Sequence, residues 1–154
     1  MTIENMIYAE IHKLFNSLQI YKFPFDVNVL PQNGIYIMFE TAEKFGNLDR
    51  IVRIGTHTGR NNFRNRLTEH YINENKNRSV FRKNIGRALL NKDSDPYIKT
   101  WEIDFTDSEN KEVLGYLRNT EYERILEERV SEYIHKNITF TVIEIENKQQ
   151  RLAG

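Results

Sequence analysis

The sequence predicts a mixed α/β fold of the α+β kind, with a mainly antiparallel sheet flanked by helices. Three observations predict it. Runs of β-forming residues are short and bounded by Gly and Pro. Between them, apolar residues recur at helical spacing. Two of the strand-like runs lie close enough in sequence to pair as a hairpin. The 154 residues fit one domain with a substantial core, and a hydrophobic fraction of 39%, with nine Phe and eight Tyr, excludes a disordered chain. The absence of cysteine excludes disulfides, thiolate chemistry and Cys-based zinc sites. No apolar run approaches the length of a membrane span. The N-terminus, MTIENMIYAEIHK, opens acidic and amphipathic rather than basic and then apolar, so no secretory signal is expected. The expectation is a soluble cytoplasmic protein with no membrane partner.

The elements follow in order. Ile3, Met6, Ile7, Ile11, Leu14, Phe15 and Leu18 give residues 3–20 a helical, amphipathic pattern. Pro24 and Pro31 punctuate a connecting segment. Residues 34–41 (GIYIMFET) read as a strand, the Gly46-containing run after them as a loop, and residues 50–55 (RIVRIG) as the second strand of a hairpin. Asn61 or Asn62 can cap a helix running to about residue 75, with Phe63, Leu67 and Tyr71 as its apolar stripe. Ser79 can cap the next, with Phe81, Ile85, Ala88 and Leu89 inward and Asp93–Pro96 as its stop. Residues 97–105 alternate like a strand. Residues 110–136 are helical, and residues 138–145 (ITFTVIEI) form a final strand. The order is α-β-β-α-α-β-α-β. Residues 1–30 are a helix and linker, 31–146 the main domain, and 147–154 a tail that resembles the first turn of a helix.

The net charge is zero, but its distribution is not even. Residues 1–49 carry net −3, residues 50–87 net +8, residues 88–146 net −7 and the tail net +2. A block of that density attracts phosphates when it faces solvent, and it pairs with the acidic segment when it does not.

Three elements carry the candidate chemistry. The first hairpin strand opens with Gly34-Ile35-Tyr36, and the second ends with Arg53-Ile54-Gly55. The following helix carries Arg66 and, four residues on, His70. Residues so spaced share a helix face. Each is one position before a residue of the apolar stripe, so both fall about 100° round from it, at its border. His57, just past the second strand, is a further candidate at the cleft edge.

These residues resemble the GIY-YIG nuclease family. Gly34-Ile35-Tyr36 matches the first motif as it stands. Arg53-Ile54-Gly55 stands where the second would be, with Arg53 replacing its tyrosine. Residues 66–70 (RLTEH) look like the family's helix. The resemblance covers about residues 30–146. It implies a small three-stranded antiparallel sheet with flanking helices and metal-dependent cleavage of DNA, expected to be double-stranded.

In that chemistry a water must be activated and charge on the phosphoryl oxygens neutralised. By the resemblance, Tyr36 orients or deprotonates the water and Arg66 clamps the phosphate through its planar fork. His70 accepts a proton or bonds a phosphate oxygen. Arg53 stays protonated, so it cannot be a base, but its cation can make Tyr36 more acidic.

The resemblance also implies a carboxylate that holds a hard divalent cation, Mg²⁺ or Mn²⁺. Glu127, at the border of the late helix's stripe, is the chosen residue, with Glu123 on the same edge in reserve. In many relatives the glutamate helix instead follows the last strand, after an Arg-Leu pair such as Arg151-Leu152. That arrangement would place the ligand past Gly154 and leave these residues as a catalytically weak DNA-binding module. The expected DNA contacts are Arg60, Arg64, Lys76, Arg78, Arg82, Lys83 and Arg87, which would give salt-dependent affinity with little sequence choice.

Overall fold

The computed structural model describes residues 1–153. They form two compact units. The first comprises Met1–Thr68 and His135 onward, the second Glu69–Ile134.

The first unit is built on a sheet. Helix α1 (Ile3–Ser17) is capped by Thr2, whose side chain accepts from the Asn5 N–H. Strand β1 (Tyr21–Lys22) follows, then a 3₁₀ turn at Val27–Val29, then the hairpin of β2 (Gly34–Phe45) and β3 (Leu48–Gly55). Strand β4 (Ile138–Glu144) and the short helix α7 (Lys148–Ala153) end it; helices α2–α6 lie between β3 and β4. All strand pairs are antiparallel, in the order β1-β4-β2-β3. The sheet therefore has four strands, not the expected three. The additional one is a two-residue pairing of Tyr21 and Lys22 with Phe140 and Thr139, too short to show any alternation in sequence. The central strand β2 is buried from Tyr36 to Phe39, and Leu30, Phe63, Leu67, Ile138 and Phe140 join it in the core.

Helix α1 meets the free edge of this sheet, on β3. The His12 Nε2 accepts from the Ile51 N–H at 3.3 Å. Asn16 bonds both backbone groups of Asp49, accepting from its N–H at 2.9 Å and donating to its carbonyl at 3.0 Å. The opposite stripe of α1, including Ile3, Met6 and Ile7, is exposed.

The second unit is helical. It takes the end of α2 (Phe63–Tyr71), then α3 (Val80–Lys92), α4 (Ile98–Trp101), α5 (Ser108–Leu114) and most of α6 (Thr120–Asn137). As expected, Ser79 caps α3 by accepting from the Arg82 N–H at 3.1 Å. The expected strand at 97–105 is a helical turn. Asp95 accepts from the Tyr97 N–H, Pro96 suits a helix start, and Asp104 caps Thr106, so local side-chain bonds fold the segment before it can extend. Trp101 is buried against Gly86 of α3, and its indole donates to the Lys83 carbonyl at 2.9 Å. The expected helix 110–136 is broken into two. A 3₁₀ turn at Gly115–Leu117 ends the first, and Asn119 caps the second by accepting from the Tyr122 N–H.

Candidate active site

The hairpin sets Tyr36 in register with Gly55 on β3 and Val142 on β4. Two glycines make the packing possible. A Cβ at Gly34 would overlap the Ile143 carbonyl, and a Cβ at Gly55 would overlap the phenol oxygen and Cζ of Tyr36. The Tyr36 ring therefore lies against the end of β3, 1% exposed, with the Phe63 ring centroid 6.3 Å away. The Arg53 Nε–H donates to its phenol oxygen at 3.3 Å. The two residues expected to cooperate are thus brought together, a cation beside a phenol.

Residues 56–61 fold back onto the start of β2. The Thr56 hydroxyl donates to the Gly34 carbonyl at 2.7 Å, and the Gly34 N–H donates to His57 Nε2 at 3.2 Å. His57 is 4% exposed and holds the first residue of the Gly-Ile-Tyr run. Its pKa lies below the ordinary value of 6.5, first because burial disfavours the imidazolium and second because of the Arg151 charge. Asn61 takes a left-handed conformation, which Asn tolerates, and forms a reciprocal pair with buried Asn33. Asn62 then occupies the cap position of α2, its carbonyl accepting from the Arg66 N–H at 3.0 Å. Arg66 is half-buried on α2, within the first unit.

His70 and Glu127 belong to the second unit. His70 is fully buried rather than at a border, and its Nδ1 lies 2.7 Å from the Ser79 hydroxyl. Glu127 is also buried. Its Oε1 accepts from the Lys76 N–H at 2.6 Å, and its Oε2 accepts from Arg82 Nε at 3.0 Å and Nη2 at 2.7 Å. A carboxylate neutralised by a guanidinium on one oxygen and engaged by an amide on the other does not fit a metal ligand in this arrangement. Reserve Glu123 is paired with Arg118 at 2.9 Å and accepts from the Tyr97 hydroxyl. Among the described residues, no group of three or more His, Asp or Glu is placed to hold a metal ion.

The basic block divides by burial. Arg82 has no exposed side-chain surface. Lys76 is buried, donates to the Ile103 carbonyl at 2.8 Å, and has a pKa lowered by that burial. Arg64 bonds the carbonyls of Leu30 and Asn28. Lys83 and Arg87 both turn to Glu102, whose pKa is lowered chiefly by the Arg87 bond. Arg60 and Arg78 are exposed. The acidic half thus balances much of the basic block by direct pairing. Asn33, Glu146 and Arg151 also converge on the start of β2, and sequence reasoning did not assign them. Their one visible signal was position, directly before the Gly-Ile-Tyr run and directly after the last strand.

The family profile for the GIY-YIG domain matches residues 5–152. That is nearly the whole chain, and the chain belongs to the GIY-YIG nuclease family. Nucleases of this family are generally metal-dependent, and the family association points to DNA as the partner. Neither a curated protein nor a solved structure matches this chain. No helix among the described residues is long and apolar enough to cross a membrane.

Proposed function

We propose that this chain is an endonuclease that hydrolyses phosphodiester bonds of double-stranded DNA, with Tyr36 and Arg66 as its working residues. The observation that carries the reading is the Arg53 Nε–H donated to the Tyr36 phenol oxygen at 3.3 Å. That bond holds a permanent cation beside the oxygen that must carry negative charge when Tyr36 acts as the base. Tyr36 then takes a proton from water, the resulting hydroxide attacks phosphorus, and the bond to the leaving oxygen breaks. Arg66 holds two phosphoryl oxygens as charge gathers on them. The leaving oxygen takes its proton from solvent. No step is routed through a metal, because Glu127 does not fit as its ligand. Exposed Arg60, in the same unit as Tyr36 and Arg66, is a surface cation that approaches the DNA backbone.

A plasmid-nicking assay with Mg²⁺ or Mn²⁺ tests this reading. The native chain is expected to nick, and Tyr36→Phe and Arg66→Ala to lower the rate by about 10²-fold or more. No nicking by the native chain with either metal overturns it. The pairing of Glu127 with Arg82 favours a second reading, a DNA-binding module on the same fold that has lost efficient cleavage. That reading predicts salt-sensitive duplex binding with no product.

A further inference from the structure

A cavity of about 510 Å³ lies within the first unit, lined by Asn33, Gly59, Arg60, Glu146, Lys148 and Arg151. It is lined by three cations and one carboxylate. Arg60 and Lys148 are exposed at its mouth, while Arg151 is 5% exposed in its wall. The Arg151 Nη1 donates to the carbonyls of Ile145 and Glu146, at 3.1 and 2.8 Å, and its Nε–H has no partner among the described residues. That nitrogen is sealed within the wall. His57, also buried, does not line the cavity, but burial and then the Arg151 charge lower the pKa of its ring, so the ring reports on charge placed against this wall.

Of the charged groups that line the cavity, three are cations, and its one carboxylate already accepts from Asn33 Nδ2 at 3.0 Å. The lining therefore carries an excess of positive charge at the exposed Arg60 and Lys148, which a phosphate would balance, and the cavity has room for a phosphate with an attached sugar.

We propose that the cavity formed by Gly59, Arg60, Asn33 and the start of α7 is a phosphate-binding subsite, separate from the Tyr36–Arg53 pair. It is filled by a backbone phosphate of the nucleic acid whose neighbour is being cleaved. This assignment of the source rests on the nuclease reading; the phosphate chemistry of the cavity does not. Seated there, the strand is anchored at the start of β2, two residues from Tyr36, which fixes its register over the phenol.

The test is a titration of the full-length chain with inorganic phosphate, following the histidine ring resonances by NMR. It is repeated for Arg60→Ala/Lys148→Ala, which changes exposed side chains, and for Arg151→Met. The His57 ring is expected to respond in the native chain, and the double variant to weaken phosphate binding by about tenfold or more. A short DNA duplex, added in competition, is expected to reproduce the His57 response and displace the phosphate. A response to phosphate that the duplex neither reproduces nor displaces assigns the cavity to a small phosphorylated molecule and overturns the backbone assignment. No response in the native chain, or an equal one in the double variant, overturns the site. Tyr36→Phe is expected to lower the cleavage rate by about 10²-fold or more and keep the phosphate response. A native chain that binds phosphate but never nicks therefore refutes the nuclease reading while leaving this site standing.

Discussion

Gly55 lies directly against the phenol of Tyr36, its partner across the hairpin, and leaves no room for a side chain of its own. The last residue of the second motif is thus a packing surface for the last residue of the first. Gly55→Ala is expected to displace the ring by a fraction of an ångström or more, and to cost about 1–3 kcal/mol of stability. Misplacing a reacting group on this scale lowers rates by about 10²-fold. Denaturant melts alongside the nicking rate check both effects, and unchanged nicking by a folded variant would remove Tyr36 from the mechanism.

Arg53 is expected to act through Tyr36 rather than on the phosphate. Arg53→Met should lower the nicking rate at neutral pH by about 10²-fold with little loss of DNA affinity. Arg53→Lys restores a cation without the planar fork and should recover part of the loss. A loss of DNA affinity that accounts for the whole effect would mean that Arg53 contacts DNA directly.

The Arg82–Glu127 pair predicts a stability effect in the second unit. Arg82→Met leaves a buried carboxylate uncompensated and is expected to cost about 3–5 kcal/mol. Removing both charges, as Arg82→Met with Glu127→Leu, should cost markedly less, because the remaining surfaces are apolar. Equilibrium unfolding of the three variants measures the difference. Were Glu127 a metal ligand instead, Glu127→Asp would depress metal-dependent nicking without a comparable loss of stability.

His57 predicts a pH window. Its folded pKa lies below 6.5, so just below that pH the unfolded chain binds more protons than the folded one. Its contribution to stability is present above about pH 6.5, declines as pH falls toward the folded pKa, and levels off beneath it. His57→Gln keeps an acceptor for the Gly34 N–H and should flatten this part of the stability–pH curve. An unchanged curve would mean that another group titrates there.

The hairpin and the motif residues were legible because strand alternation and Gly punctuation are local signals. Their outcome, Tyr36 opposite Gly55, follows from the register of a short turn. Residues 97–105 alternated equally well yet coil into a helical turn, since the caps of Asp95 and Asp104 and the burial of Trp101 override the pattern. β1 was invisible because two residues carry no period. The fate of the basic residues was the least legible. Arg82 and Arg78 look alike in sequence, and only the fold brings Glu127, 45 positions away, onto the first of them. Glu127 was expected at the border of its helix stripe, and the helical pattern could not reveal that the fold buries it against a guanidinium.

The bonds from His12 and Asn16 to β3 also bear on how the protein behaves in company. β3 is an edge strand, and an uncovered edge offers its N–H and C=O groups to any passing chain. Helix α1 occupies those groups at Asp49 and Ile51, on the strand that carries Arg53 and Gly55. A version of the protein trimmed of its first 19 residues would present that strand unguarded. Its fate would be edge-to-edge pairing and aggregation, and the α1 helix is what shields the outer edge of the hairpin.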